Sequence, residues 1–168
     1  WVLCGLQFGV SYALAAAMLL TAVLVVLTAI DLDHQFLPDS LTLPLVWVGL
    51  LLNIDNTFVS LESAVLGAAF GYLCLWAVFW LFKIATGKEG MGHGDFKLLA
   101  ALGAWFGLAA LPTIVLLSSA VGAFLGVASI VTGKQDRETP MPFGPFLAGA
   151  GLIHLFYPNV LLTWVTGA

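Results

Sequence analysis

Polar residues break this chain into apolar stretches whose lengths suit helices in a membrane. Residues 10–30 contain no formal charge. At roughly 1.5 Å per residue they cover about 30 Å of bilayer hydrocarbon, predicting a first helix that ends at Asp31. Residues 1–8, with Gly5 and Gly9 about a short apolar run, read as the tail of an earlier span. After the polar patch DLDHQFLPDS, residues 41–52 predict a short second helix that starts at Pro38 or Asp39, with Asp39 placed to cap it. The turn NIDNTFVSLES follows, and Ser60 caps a third helix over residues 61–86. Its aromatic end, with Trp76, Phe79, Trp80 and Phe82, suits an interfacial belt. Beyond the glycine-rich loop GKEGMGHGD, a fourth helix is expected over residues 96–110 and a fifth over 111–132, divided near Pro112. The polar loop GKQDRETP precedes a sixth over residues 142–165, bent at Pro158.

This pattern predicts an all-α, polytopic integral membrane protein of about six transmembrane helices, with residues 1–168 forming a single membrane-embedded domain. Composition removes the soluble alternative. The chain is 61% hydrophobic and 8% charged, where a soluble domain carries roughly 25% charged residues. Nine acids and five bases could not cover a water-facing surface, so most of the exterior must meet lipid. A net charge of −4 with no basic face excludes nucleic acid as a partner. Cys4 and Cys74 each lie alone in an apolar run and read as packing residues, giving neither a metal pair nor a disulfide framework. The chain opens on Trp1 without a basic leader or small-residue cleavage site, so it does not begin like a signal peptide and reads as part of something longer.

Six crossings put residues 31–39, 83–97 and 134–137 on one face, which then holds Lys83, Lys88, Lys97, Lys134 and Arg137. The opposite face carries Asp55 and Glu62. The positive-inside rule makes the basic face cytoplasmic. Were residues 96–132 a single span, Lys134 and Arg137 would move to the other side.

Candidate chemistry lies on that basic face. Asp31 ends the first helix, where the dipole disfavours an ionised acid, and so suits a carboxylate held protonated for acid–base work. Asp95 closes the string Gly92, His93, Gly94, Asp95 and is placed to cap the fourth helix. The two glycines allow positive φ or a close approach to a ligand, and an N-terminal dipole would lower the pKa of Asp95. Two acids from different helices on one face suit water activation by one protonated and one ionised carboxylate, with Asp31 expected as acid and Asp95 as base. Lys97 either anchors the helix start at the headgroups or steadies a negative site. Lys88 and Glu89 read as a solvated loop, and Pro142, Phe143, Gly144 and Pro145 as a rigid turn into the sixth helix. Asp33 and His34 beside Asp31 invite a metal reading, but no second ligand cluster stands at metal spacing, and no metal is expected. His93 and His154 lie far apart, with His154 a packing or interfacial residue near the opposite membrane half.

The strings IDLDHQFLPDSLTLP, GKEGMGHGDFKLLAALGAW and PMPFGPFLAGAG, spread over residues 21–150, resemble the type IV prepilin peptidase family of bacterial membrane aspartic peptidases. GxGD alone is a weak signal. Joined to Lys97, to Asp31 seven residues before Pro38 and Asp39, and to the PFGP turn of Pro142, Phe143 and Gly144, it is specific. The resemblance implies that Asp31 and Asp95 are the catalytic aspartates, with Gly92, Gly94, Lys97, Pro38 and Asp39 as motif support. It also implies a bacterial inner-membrane, multi-pass enzyme with its site toward the cytoplasm. Such an enzyme removes a short basic leader, ahead of an apolar helix, from prepilins or pseudopilins. Asp31, Asp33, Asp39 and Glu89 would attract that leader while lipid holds the apolar segment. Family members that also N-methylate the product from S-adenosylmethionine carry CxxC pairs. This chain has none, so S-adenosylmethionine and zinc are expected only in a part preceding Trp1, and the peptidase part needs no cofactor.

Three rival readings share some features. A presenilin-like protease also uses GxGD but cuts inside a transmembrane segment, and the flanking motifs favour the prepilin enzyme. A proton-coupled transporter would place acids near mid-span with an internal repeat, whereas Asp31 and Asp95 are expected at helix ends. A nonenzymatic assembly protein would carry the motifs without turnover.

Overall fold

A computed structural model describes residues 2, 4, 7, 11–87, 91–131 and 142–158, and among them there is no strand. Six helices follow one another: α1 (Tyr12–His34), α2 (Asp39–Leu52), α3 (Leu61–Thr86), α4 (His93–Phe106), α5 (Leu111–Val131) and α6 (Gly144–Phe156). Short 3-10 turns at Asn53–Asp55 and Leu108–Ala110 flank the far ends of α2 and α4. Local chemistry sets several boundaries. The Ser11 and Ser60 hydroxyls accept the N–H groups of Leu14 and Ser63, capping α1 and α3. Gly87, at φ 71°, closes α3 in the left-handed region.

Tyr12–His34, Leu61–Thr86 and Leu108–Ser129 are each long and apolar enough to cross a membrane. The chain is an all-α integral membrane protein. The other three helices are shorter: α2 and α4 have 14 residues each, about 21 Å. In α4 every residue from Leu98 to Phe106 is buried. A helix apolar on every side, ringed by α2, α3 and α6, is shielded from lipid by protein and needs no full-length apolar span.

Small residues bring α3 and α4 together. A Cβ on Gly67 would collide with the Gly103 carbonyl, and one on Gly71 would lie 2.7 Å from the Leu99 carbonyl oxygen. In lipid, where apolar contact alone gives little preference, this backbone approach supplies the packing attraction.

Several boundaries depart from the expected ones. The first helix runs three residues past Asp31 to His34, so Asp31 lies in its final turn. Pro38, not Asp39, is the cap position of α2, and no side chain caps it. The fourth helix begins at His93, which makes Asp95 its third residue and not its cap. The described part of the sixth helix ends at Phe156 with Pro158 in a turn, and the rest of the stretch expected to 165 lies outside the described residues. The expected loop residues Lys88, Glu89, Lys134 and Arg137 lie outside the described residues, as does most of the expected earlier span at 1–8.

At the end opposite Asp31, one side chain fastens three elements. Asn53 is fully buried, and its amide donates to the carbonyls of Ala104 and Trp105 at 2.9 and 3.2 Å. Its oxygen accepts the N–H groups of Phe58 and Val59 at 3.0 and 3.1 Å. Nearby, the Trp105 indole donates to the Leu45 carbonyl at 2.9 Å. Asn53→Ala strands these backbone groups, so it should cost about 3 kcal/mol of stability in detergent unfolding. The effect should be confined to stability, because Asn53 lies at the end of the bundle opposite Asp31.

Candidate active site

The alternating helix directions gather one end of each of α1, α2, α4 and α6 around an open cleft of about 640 Å³. Its walls include Asp31, Leu37, Asp39, Asp95, Lys97 and Phe143. Asp31 and Asp95 are each only 5% exposed, unlike the other described acids. The cleft therefore contains two acids that have given up most of their hydration.

Asp31 is held from a distant part of the chain. The Gly144 backbone N–H, at the first residue of α6, donates to its Oδ2 at 3.0 Å. A Cβ at Gly144 would stand 2.6 Å from that oxygen and 3.1 Å from Leu37 Cδ1. The PFGP turn thus does more than redirect the chain: its glycine lets a helix start approach a carboxylate and donate to it. Gly94 serves a similar approach, since its Cβ would lie 2.6 Å from Leu37 Cβ and 3.2 Å from the Leu37 carbonyl oxygen. Neither glycine of the GxGD string has positive φ. Gly92 has φ −77°, and Gly94 is within α4. The expected positive φ is therefore corrected to close packing of α4 against Leu37.

Burial, the largest influence, and then the negative charge of Asp31 push the Asp95 pKa up to about 7, against the pull of a Gly92 backbone hydrogen bond. The expected lowering by the helix N-terminus is outweighed by desolvation. Asp31 accepts the Gly144 hydrogen bond, and its charge opposes ionisation of Asp95, so the two buried acids interact. A stability consequence follows. With the folded value above the unfolded 3.8, the folded protein binds more protons between 3.8 and about 7. This contribution to stability is complete below 3.8 and is lost as pH rises through about 7. The melting temperature in detergent should fall over that window, and Asp95→Asn should flatten the slope.

Asp39 and Lys97 form an ion pair across α2 and α4, Nζ to Oδ1 2.5 Å. Lys97 thus ties the start of α4 to the start of α2, which sequence alone left open between headgroup anchoring and steadying a negative site. Both groups are partly hydrated, so the pair is a geometric tie of modest strength. Asp33 and His34 point to solvent and are absent from the cleft walls. Among the described residues no group of three possible metal ligands forms. His93 packs between Phe79 and Phe96, at ring distances of 5.0 and 5.5 Å. His154 stacks 5.2 Å from Phe106 at the far end, as a packing residue there should. Sequence reasoning missed Leu37, Gln35 and Met91 as cleft residues. Leu37 had one available signal, its place between Asp31 and the Pro38–Asp39 pair.

Comparison with known proteins shows which family the chain resembles. The profile of the type IV leader peptidase family matches residues 18–127, more than half of the chain, and includes both buried acids. A prepilin leader peptidase/N-methyltransferase from Aeromonas hydrophila is 59% identical over 149 residues, covering 89% of this chain and 51% of that protein. Proteins of the same name from Stutzerimonas stutzeri and Pseudomonas aeruginosa are each 56% identical over 151 residues, covering 90% of this chain and 52% of theirs. The chain spans about half the length of the curated relatives it matches. No solved structure gives a significant match. The family profile, together with this identity across both acid-bearing helices, shows that the chain belongs to the type IV leader peptidase family.

Proposed function

We propose that this chain is the aspartic endopeptidase that removes the leader peptide from prepilins or pseudopilins, using Asp31 and Asp95 to activate water. The observation that carries the reading is the pair of buried carboxyl groups, brought by α1 and α4 into one open cleft, where the charge of one opposes ionisation of the other. Ionised Asp31 takes a proton from the attacking water while protonated Asp95 donates to the scissile carbonyl oxygen, giving a neutral tetrahedral intermediate. Collapse of that intermediate breaks the C–N bond: the proton held by Asp31 passes to the leaving amine, and a hydroxyl of the intermediate returns a proton to Asp95, leaving the new carboxyl terminus and both acids as they began. Gly144 positions Asp31 and Lys97–Asp39 fixes the start of α4. The residues supporting this geometry are thus Gly94, Lys97, Asp39 and Gly144, with Gly92, Pro38, Pro142 and Phe143 shaping the surrounding turns.

The described basic residues Lys83 and Lys97 lie at the cleft end, while Asp55 and Glu62 lie at the other. The proposed orientation puts the cleft at the cytoplasmic face of the bacterial inner membrane, in one peptidase domain formed by these residues. This hydrolysis is written with protein carboxylates and water, and no zinc or S-adenosylmethionine is assigned to any residue. Methylation, part of the relatives' names, is assigned to none either. The test is incubation of a prepilin with the protein in liposomes, read by intact mass. Loss of the leader mass by the protein, and by neither Asp31→Asn nor Asp95→Asn, is the expected outcome. An unaltered mass, or cleavage that survives both changes, would end the reading.

A further inference from the structure

A second cavity, of about 310 Å³, lies between α3 and α5 below the cleft. Helix α5 packs along α6 and stands off α3, leaving a lateral gap. Leu75 and Val78 form one wall, and Val115, Ser119 and Ala123 form the other. Val115 to Ala123 spans about 12 Å along α5, more than two helical turns. Gly122 lets the ring of Phe146 close in on α5, since a Cβ there would lie 3.1 Å from the ring.

Two residues, Met91 and Phe143, belong to both this groove and the cleft that holds Asp31 and Asp95. The groove thus adjoins the cleft, with the side chains of Met91 and Phe143 at their junction. It descends from the hydrated end of the bundle beside two helices that are membrane spans by length and composition. A polypeptide whose scissile bond lies in the cleft must send its following segment somewhere within a few residues of the two acids. The groove offers that segment an apolar wall, small α5 residues that permit close backbone approach, and an opening toward lipid.

We propose that the α3–α5 groove seats a single apolar helix of a membrane-anchored substrate, directly after the bond cut at Asp31 and Asp95. The inference rests on the peptidase reading and adds to it the place where substrate is held. Substrate would arrive sideways from the bilayer, its helix lying against Ala123 and Ser119 while the polar segment before it enters the cleft.

The experiment has two arms. In the first, a photoreactive benzoylphenylalanine replaces Ala123 in the groove or Phe124, 73% exposed and outside the groove lining, in an Asp31→Asn, Asp95→Asn background. Each protein is illuminated in liposomes with a prepilin. Adducts with the prepilin should be about tenfold more abundant from position 123, a difference of about 1.4 kcal/mol in occupancy. Equal yields, or adducts from 123 only with lipid or a second copy of the chain, would overturn the proposal. In the second arm, Ala123→Trp fills the groove of the active protein. KM for the whole prepilin should rise about tenfold with kcat held. A short peptide that carries the leader, the scissile bond and only the first few residues after it should be cut as by the parent. Cleavage of both substrates at parental rates with unchanged KM would sink the groove and leave the peptidase standing. If the parent cuts neither, the peptidase reading fails, and the adduct ratio still decides whether the groove holds an apolar helix.

Discussion

Replacing Asp95 by Asn should leave a folded protein that removes leaders at least about a thousandfold more slowly. The amide keeps the shape of the carboxyl group but cannot pass a proton to the scissile carbonyl oxygen. Asp31→Asn should cost a similar factor for the complementary reason, loss of the group that takes a proton from water. The double variant should be little worse than either single one, because two groups that handle one proton act as a unit. Stability should move the other way. Asp95 is 5% exposed, and ionising it there is unfavourable, so Asp95→Asn should be at least as stable as the parent above pH 7. Time courses by intact mass, beside melting curves of the same preparations, check both halves. Retention of a tenth or more of parental activity by either variant would contradict the assignment.

Gly144→Ala should be nearly as damaging to catalysis while leaving the fold intact. The added Cβ would meet Asp31 Oδ2 at 2.6 Å and Leu37 Cδ1 at 3.1 Å. The cheapest relief is rotation of the Asp31 carboxyl group, a short side chain free to turn, at the expense of its bond from the Gly144 N–H. That rotation misplaces the proton acceptor, and an error of about 1 Å there costs about a hundredfold in kcat. KM should change little, since Gly144 is not itself a lining residue of the groove, though its neighbours Phe143 and Phe146 are. Gly144→Ala with parental kcat would show that the carboxylate has no need of this contact.

Much of the fold can be read from the chain. Six apolar stretches correspond to six helices among the described residues; the one expected to be short, residues 41–52, is short, and α4 is short as well, wrapped by protein. The site was legible in part: two acids bounded by polar loops on one face, with PFGP also at that face. The environment of the two acids was not legible, because it depends on Gly144, 113 residues beyond Asp31, and on burial that only packing creates. The start of α4 moved because Gly92, not Asp95, is the residue at which extended backbone gives way to helix. Asp39 looked like a cap, yet the turn at Leu37 and Pro38 aims it at Lys97, 58 residues away. Asn53 sat in a stretch whose polarity suggested only a turn, and its bonds to α4 are visible only once α2 and α4 lie side by side.

The rate of leader removal as a function of pH tests most directly whether one proton shared by Asp31 and Asp95 does the cutting. In the proposed active form Asp31 is ionised and Asp95 protonated, so kcat/KM should fall on the alkaline side with an apparent pKa near about 7, where burial and the charge of Asp31 push Asp95. It should fall on the acidic side as Asp31 takes up a proton. Activity that stays level from well below to well above pH 7, or that rises through pH 7, would contradict the account.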